Sequence, residues 1–375
     1  MNILVFSWRD PKHPLAGGAE QVMHEHMKGW IAAGYQVTLF TSRAKGLSDK
    51  EVIDGVVVIR RGIQYFGVQI AGYLYYLNNN GKIDLIVDQF HGLPFFTPLY
   101  SNKPKIAVIQ EVAGKVWLKN DLPKPLNWII GIIGYLGEPL LFIFYRKTHF
   151  MTGSDSTKKQ LEKVGISSKM ITIIPHGVKL IDFKHLPKKE TLSTIIYLGA
   201  VTMDKGIDEV LKVFNILNEK GVFNFWIVGR ASEEYKKYID KKRKEFGLLN
   251  RLKTFGFVSE SKKFNLLARA HILINPSVLE GWGLVNIEAN SVGTPVVAYN
   301  SPGLVDSVKT GVNGIICKKN TPGSMSASVE RLLSESRNYQ LLSKSAKLWS
   351  KKFSWPISKK MSLTLIDHVV RLGKV

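Results

Sequence analysis

The stretch Asn275-Pro-Ser-Val-Leu-Glu280-Gly-Trp-Gly283-Leu-Val-Asn-Ile-Glu288-Ala-Asn-Ser-Val-Gly293-Thr-Pro295-Val-Val297 decides how the chain is read. It follows a short apolar run from His271 to Asn275, of the kind that forms a buried parallel strand. Gly281 and Gly283 supply a loop whose backbone can come close to a ligand. From Leu284 to Ser291 the pattern is helical, and Gly293 and Pro295 stop it. Strand, glycine loop and helix in this order place backbone N–H groups at the carboxyl end of a sheet strand, where α/β proteins bind ligands. The helix start at Gly283, Leu284 and Val285 therefore suits an anion such as a pyrophosphate. Two carboxylates flank it. Glu288, about one turn into the helix, can accept hydrogen bonds from a ribose diol, and Glu280 from sugar hydroxyls. A tight turn with acids nearby gives the same pattern, so both readings stand on these residues alone.

Outward from that stretch, the second half repeats the scheme. Residues 194–198 read as a buried strand, followed by Gly199-Ala-Val-Thr-Met-Asp-Lys205-Gly206 and a helix. Gly199 suits a phosphate loop, and Lys205 offers a point charge to a leaving diphosphate. Arg230 follows a further strand, 225–229, and is a candidate second cation; a surface role fits it equally. Strands at 253–258, 271–275, 295–299 and 314–317 complete a sheet, and the chain is helical from Pro322, with a last helix at 355–372.

The first half alternates strands and helices too, which predicts a parallel sheet with right-handed crossovers. Its strands are expected at 3–7, 36–41, 56–60, 84–88, 105–110, 149–153 and 170–175. The first leads into Ala16-Gly17-Gly18-Ala19-Glu20 and an amphipathic helix. The fourth ends in Asp88-Gln-Phe-His91, where His91 could orient a sugar hydroxyl, assist proton movement or simply be structural. Ser154 is a candidate helix cap. A lysine- and proline-containing stretch with little periodicity, 179–193, reads as a linker between domains 1–178 and 194–354.

Bulk properties narrow the class. The 375 residues suffice for two domains, and 45% hydrophobic with 22% charged residues is a soluble globular composition. The single cysteine, Cys317, suits a reducing cytoplasm, and the N-terminus enters a strand rather than a signal peptide. Fifty-two Lys and Arg against 30 Asp and Glu leave a net charge of +22. Such an excess serves nucleic acid, an anionic membrane surface or phosphorylated substrates, or is a solvated lysine-rich surface. No nucleic-acid module with stacking aromatics is present, so nucleic acid is not an expected partner. Nor do the Asp and His residues have chelating spacing, so no metal site is expected.

The pattern Pro276-Ser277, Glu280-Gly-x-Gly283, Glu288-Ala289 and Gly293-Thr-Pro295 resembles the donor signature of the retaining glycosyltransferases of family 4, also called group 1. Seven residues separate the paired acids of that family, as they separate Glu280 from Glu288. The resemblance implies the GT-B fold, α/β with two Rossmann-like domains facing across a cleft, the last helix, 355–375, crossing back to the first domain. It implies transfer of a sugar from a nucleotide diphosphate-sugar to an acceptor hydroxyl on a glycan or lipid-linked sugar, with no other cofactor. It places Gly17 and Gly18 beside the donor phosphates and the acceptor, and Lys205-Gly206 in the phosphate loop. Two positions depart from it. Ala200 stands where the family has arginine, and Gln110 where it has a histidine that touches the donor sugar. Glutamine hydrogen bonds but does not titrate near neutrality. Glu280, Lys205 and His91 are the catalytic candidates; Gly17, Gly18, Gln110, Gly199, Arg230, Gly283, Leu284, Val285 and Glu288 are the donor-binding ones. A catalytically silent sugar- or lipid-binding paralogue and a nicotinamide dehydrogenase are the alternatives.

The most apolar run, 126–145, is long enough to span a bilayer, but Glu138 and Pro139 near its middle argue against spanning. It reads either as a helix pair, broken at 137–139 and buried in the first domain, or as an exposed apolar surface. With Arg146-Lys147 behind it, the second form suits peripheral docking on an anionic membrane, on its cytoplasmic face.

Overall fold

In the computed structural model the described residues are 1–64, 67–90, 92–119, 124–179 and 186–373. The chain divides into two compact units, residues 1–177 with 355–375, and residues 178–354.

The first unit carries β1 (Asn2–Phe6), α1 (Gly18–Ala32), β2 (Gln36–Thr41), β3 (Lys50–Ile53), β4 (Val56–Arg60) and α2 (Gly67–Asn79). Then come β5 (Leu85–Gln89), β6 (Lys105–Val108), α3 (Leu126–Leu141), β7 (His149–Thr152), α4 (Asp155–Lys163) and β8 (Ile171–Ile173). The strands form one eight-stranded sheet in the order β3-β4-β2-β1-β5-β6-β7-β8. β-Branched and aromatic side chains of β1, β2 and β5 are buried on both faces, as a parallel sheet covered by helices requires. Ser154 caps α4, its Oγ accepting from Thr157 N at 3.1 Å.

An all-parallel sheet was the expectation, and β3 corrects it: it pairs antiparallel with β4 at the sheet edge. The cause is local. Asp54 and Gly55 both have positive φ, 49° and 86°, the conformation of a two-residue hairpin turn. The buried-helix-pair reading of 126–145 is corrected too. α3 runs unbroken through Pro139, which falls in its last turn, and a 3-10 turn continues it to Tyr145. Within α3 only Gly131 and Glu138 are buried. Glu138 is turned inward, so the charge in the apolar run does not face solvent.

The second unit carries β9 (Thr194–Leu198), α5 (Ile207–Lys220), β10 (Asn224–Val228), α6 (Glu233–Glu245), β11 (Leu252–Thr254), α7 (Glu260–Arg269) and β12 (Ile272–Asn275). It continues with α8 (Leu284–Ser291), β13 (Val296–Ala298), α9 (Leu304–Ser307), β14 (Gly314–Ile316), α10 (Pro322–Ser334) and α11 (Ser336–Ser350). Its six strands are all parallel, in the order β11-β10-β9-β12-β13-β14. Residues 186–193, read as linker, lie against this unit: Lys189 Nζ donates to Thr294 Oγ1 at 2.8 Å, and Arg269 Nη2 stands 2.5 Å from Glu190 Oε1.

The last helix, α12 (Trp355–Leu372), belongs to the first unit. Its Leu365, Ile366 and Val369 join the same core cluster as Met23, Met27 and Trp30 of α1. Trp30 Nε1 donates to Ser362 Oγ at 3.0 Å.

Candidate functional site

In the second sheet β9 and β12 are neighbours, yet the chain leaves them toward opposite edges. This is the switch point at which α/β sheets open a crevice at the strands' carboxyl ends. The loop after β9 and the loop after β12 meet there. Val278 N donates to Asp204 O at 3.0 Å, and Lys205 Nζ to Leu279 O at 3.3 Å. Lys205 Nζ also lies 3.1 Å from Glu280 Oε1, which accepts from Ser277 Oγ at 2.8 Å. Both charged side chains remain about one-fifth to one-quarter exposed, so the pair is accessible to a ligand. Glu280 is held from the far side as well: its N–H donates to Pro302 O at 3.2 Å. Gly303, with φ of 77°, completes that contact, because a Cβ there would stand 1.9 Å from Glu280 O.

α8 starts at Gly283 without a side-chain cap. Its first turn is fixed by a buried amide chain. Asn275 Nδ2 donates to Asn286 Oδ1 at 3.0 Å, and Asn286 Nδ2 to Ser307 Oγ at 2.9 Å. Asn275 Oδ1 in turn accepts from Ser277 N at 3.2 Å. Strand end, loop and helix start are thus one rigid piece, with Leu284 and Val285 partly exposed at its surface. Glu288, one turn on, is paired with Lys263 Nζ of α7 at 2.5 Å. Sequence reading gave Asn275 and Asn286 no role of their own; the available signal was an amide at the end of an apolar strand and a second in the first turn of the helix that follows.

Gly199 closes β9, its N–H donating to Val228 O at 3.0 Å. Arg230 is brought beside the Ala200 loop by its backbone, its carbonyl accepting from Val201 N at 2.9 Å. Its guanidinium stacks over the exposed ring of Phe257, 5.1 Å from the centroid.

In the first unit β1 and β5 make the corresponding switch point. Gly17 is the N-cap of α1, and Gly18 its first residue. Glu20 accepts from Gly17 N at 2.7 Å and lies 2.8 Å from Arg9 Nε, so a buried carboxylate already faces this helix start. Gln89 Nε2 donates to Ala19 O at 3.2 Å, tying α1 to the end of β5. His91 lies outside the described residues. Asp88, three residues before it, is fully buried and accepts from Phe95 N at 3.0 Å, Thr97 Oγ1 at 2.9 Å and Tyr145 Oη at 2.5 Å. Burial raises its proton affinity above the usual carboxylate range despite those donors.

Gln110 Oε1 lies 2.5 Å from His176 Nε2. Burial lowers the His176 pKa to about 4, so the ring is neutral at pH 7 and donates through Nε2. The loop beyond Gln110 is anchored by Glu138, whose carboxylate accepts from Ala113 N at 2.9 Å and Gly114 N at 2.7 Å. Among the described residues no group of three or more His, Cys, Asp or Glu side chains stands close enough to hold a metal ion.

Comparison with known proteins agrees with this architecture. Residues 16–181 match the model of Glycosyltransferase Family 4, and residues 178–349 that of Glycosyl transferases group 1. An uncharacterized glycosyltransferase of Methanocaldococcus jannaschii is 30% identical over 163 residues, 43% of this chain and 41% of that protein. The chain therefore spans about two-fifths of the length of that relative. A sucrose-phosphate synthase from Thermosynechococcus elongatus has a similar structure, with a TM-score of 0.82 at 17% identity over 99% of both chains. The Anabaena protein HepE, solved in complex with UDP and glucose, follows at a TM-score of 0.73 and 17% identity, over 98% of this chain and all of that one. These likenesses give the fold, GT-B. With these two glycosyltransferase models together matching residues 16–349, the chain belongs to the group 1, family 4 glycosyltransferases.

Proposed function

We propose that the chain is a retaining glycosyltransferase that moves a hexosyl group from a nucleotide diphosphate-sugar to an acceptor hydroxyl on a glycan or lipid-linked sugar. The pairing of Lys205 Nζ with Glu280 Oε1 at 3.1 Å, where the two switch-point loops meet, carries this reading. The bond from sugar C1 to the phosphate oxygen breaks, a bond from C1 to the acceptor oxygen forms, and the acceptor proton leaves with the diphosphate. Lys205 and the α8 amides of Leu284 and Val285 meet the charge on that leaving group. Glu288 accepts from the ribose diol and Glu280 from the sugar hydroxyls. Each of these carboxylates is held by a lysine in the free protein, so the site is electrostatically balanced before donor arrives. HepE, the structural relative solved with UDP and glucose, supports a nucleotide-sugar as donor. Arg230 stands in for the arginine missing at Ala200, and Gly17 and Gly18 line the acceptor side. The buried free thiol of Cys317 supports a cytoplasmic location.

A thermal-shift screen over nucleotide-sugars tests the donor class: at least one raises the melting temperature, and a flat response across the panel contradicts the reading. Transfer is further proposed to be metal-independent, because Lys205 and the α8 amides already supply the positive charge. Activity then persists in excess chelator; complete loss, restored by magnesium or manganese, overturns this part.

A second reading, sugar binding without transfer, is favoured by one observation. Gln110 is committed to His176, so no titratable group stands at that position. Release of nucleoside diphosphate from a bound donor separates the two.

A further inference from the structure

α3 presents an apolar surface that none of the described residues of its own unit covers. Trp128, Ile133, Leu136 and Leu140 are each 60–65% exposed. The opposite side of the helix is taken: Gly134 packs on the Trp117 ring, where a Cβ would stand 2.3 Å from the indole, and Glu138 binds the Ala113 and Gly114 amides. A second exposed stripe lies on α2. Ile70, Tyr73, Leu74 and Leu77 follow the i, i+3, i+4, i+7 spacing of one helix face, yet that face is turned to solvent. Aromatic contacts join the two stripes. The Tyr73 ring lies 5.0 Å from Tyr100, and Phe96 lies 6.3 Å from Phe144, in the turn that continues α3. Leu99, between them in sequence, is 59% exposed. An apolar surface carried by two helices, the segment 96–100 and the turn 142–145 is far more than the scattered exposure of a soluble surface.

We propose that this two-helix face docks in the plane of an anionic lipid bilayer. Charge selects the occupant. Between Ser101 and Phe150 there are seven Lys or Arg and three Asp or Glu, and one of those acids, Glu138, is buried. Lys124 Nζ sits 5.7 Å over the Trp128 ring at one end of α3, and Arg146 and Lys147 follow at the other. Tryptophan and lysine at the ends of an apolar helix match a headgroup layer on an apolar interior. A second copy of a chain with net charge +22 would instead bring like charges together around the same face. Crossing the bilayer is a different state: it would strip Glu138 from the two amides it holds and drive its carboxylate into hydrocarbon. The helix lies in the interface with its glycine-and-glutamate side kept on the protein.

The surface is independent of the transfer chemistry, so its test uses no donor. The full chain is sedimented with phosphatidylcholine vesicles carrying phosphatidylglycerol, at low and high salt, and with pure phosphatidylcholine as control. Binding to anionic vesicles at low salt, with most of it released at high salt, is the expected result. Ile133→Asp on α3 and Leu74→Asp on α2 each lower partitioning by about tenfold or more, the value of one buried aliphatic side chain. Leu348→Asp, an equally exposed position on α11 of the other unit, leaves partitioning unchanged. No sedimentation at low salt overturns the proposal. So does binding that neither face variant changes, which reduces it to bulk charge, or a dimer that Ile133→Asp dissolves, which gives the face to a second copy. Where an aspartate variant does not fold, Ile133→Ser and Leu74→Ser replace it. Amide exchange of α2 and α3 in the parent must also slow on adding anionic vesicles, and unchanged exchange refutes the docking face.

Discussion

Glu288 shows how a single residue's meaning depends on its partner. Its carboxylate is 2.5 Å from Lys263 Nζ, so the free protein already satisfies the charge that the ribose diol is proposed to use. Glu288→Gln removes the charge and keeps the shape. Donor binding is expected to weaken by about tenfold, as a charge-assisted hydrogen bond becomes a neutral one, with the melting temperature of the free protein little changed. Calorimetric titration checks this, and equal affinity for parent and variant removes Glu288 from the donor site. At this scale the sequence was most informative where residue type and spacing both matter. Glu280, Glu288, Lys205 and Gly283 could be singled out because glycine, carboxylate and lysine recur at fixed intervals after a strand. Asn275 and Asn286 could not, since an amide chain linking a strand end to a helix turn exists only once both are packed.

At the scale of elements, strand positions were legible to within a few residues, because buried parallel strands are short, continuous apolar runs bounded by turn residues. β3 was missed although Asp54-Gly55 between two apolar runs is a hairpin signal. The run 126–145 was the hardest to read: hydropathy cannot tell a helix buried in protein from one left bare, and it reads a charge as a break. Glu138 settles the matter structurally by turning inward to the Ala113 and Gly114 amides. Glu138→Ala is expected to destabilise the first unit by about 1–3 kcal/mol through the amides it leaves unpaired. Amide exchange at Ala113 and Gly114 is expected to accelerate. A urea midpoint and exchange rates equal to those of the parent would show that the anchor is not needed.

At the scale of the whole molecule, the end of the chain returns to the first unit, and a histidine marks the contact. His26 of α1 is completely buried, with its ring 6.0 Å from Trp355 of α12 and 6.5 Å from Trp30. Among the described residues neither ring nitrogen has a hydrogen-bond partner. Burial lowers its pKa to about 3. The unfolded chain, near 6.5, therefore binds the proton first on acidification. His26's neutral form gives its full stabilisation above about pH 6.5 and loses it progressively as pH falls toward about 3, at about 1.4 kcal/mol per pH unit. His26→Phe keeps the aromatic packing and removes the titration. The stability difference between variant and parent should thus grow in the variant's favour from neutral pH to pH 4.5, and a difference that stays constant with pH contradicts this assignment. The two-unit plan itself was legible because the strand, glycine loop and helix scheme occurs twice; the return of α12 to the first unit followed only from the family resemblance, and its packing on α1 was not legible. The central claim is that the loops meeting after β9 and β12 carry sugar transfer, and one measurement addresses it most directly: the rate at which parent and Lys205→Ala release nucleoside diphosphate from a nucleotide-sugar that binds the parent. The expected result is measurable release by the parent and a loss of about a hundredfold or more in the folded variant, as for removal of one preorganised charge from a developing anion. Equal rates for the two proteins would contradict it.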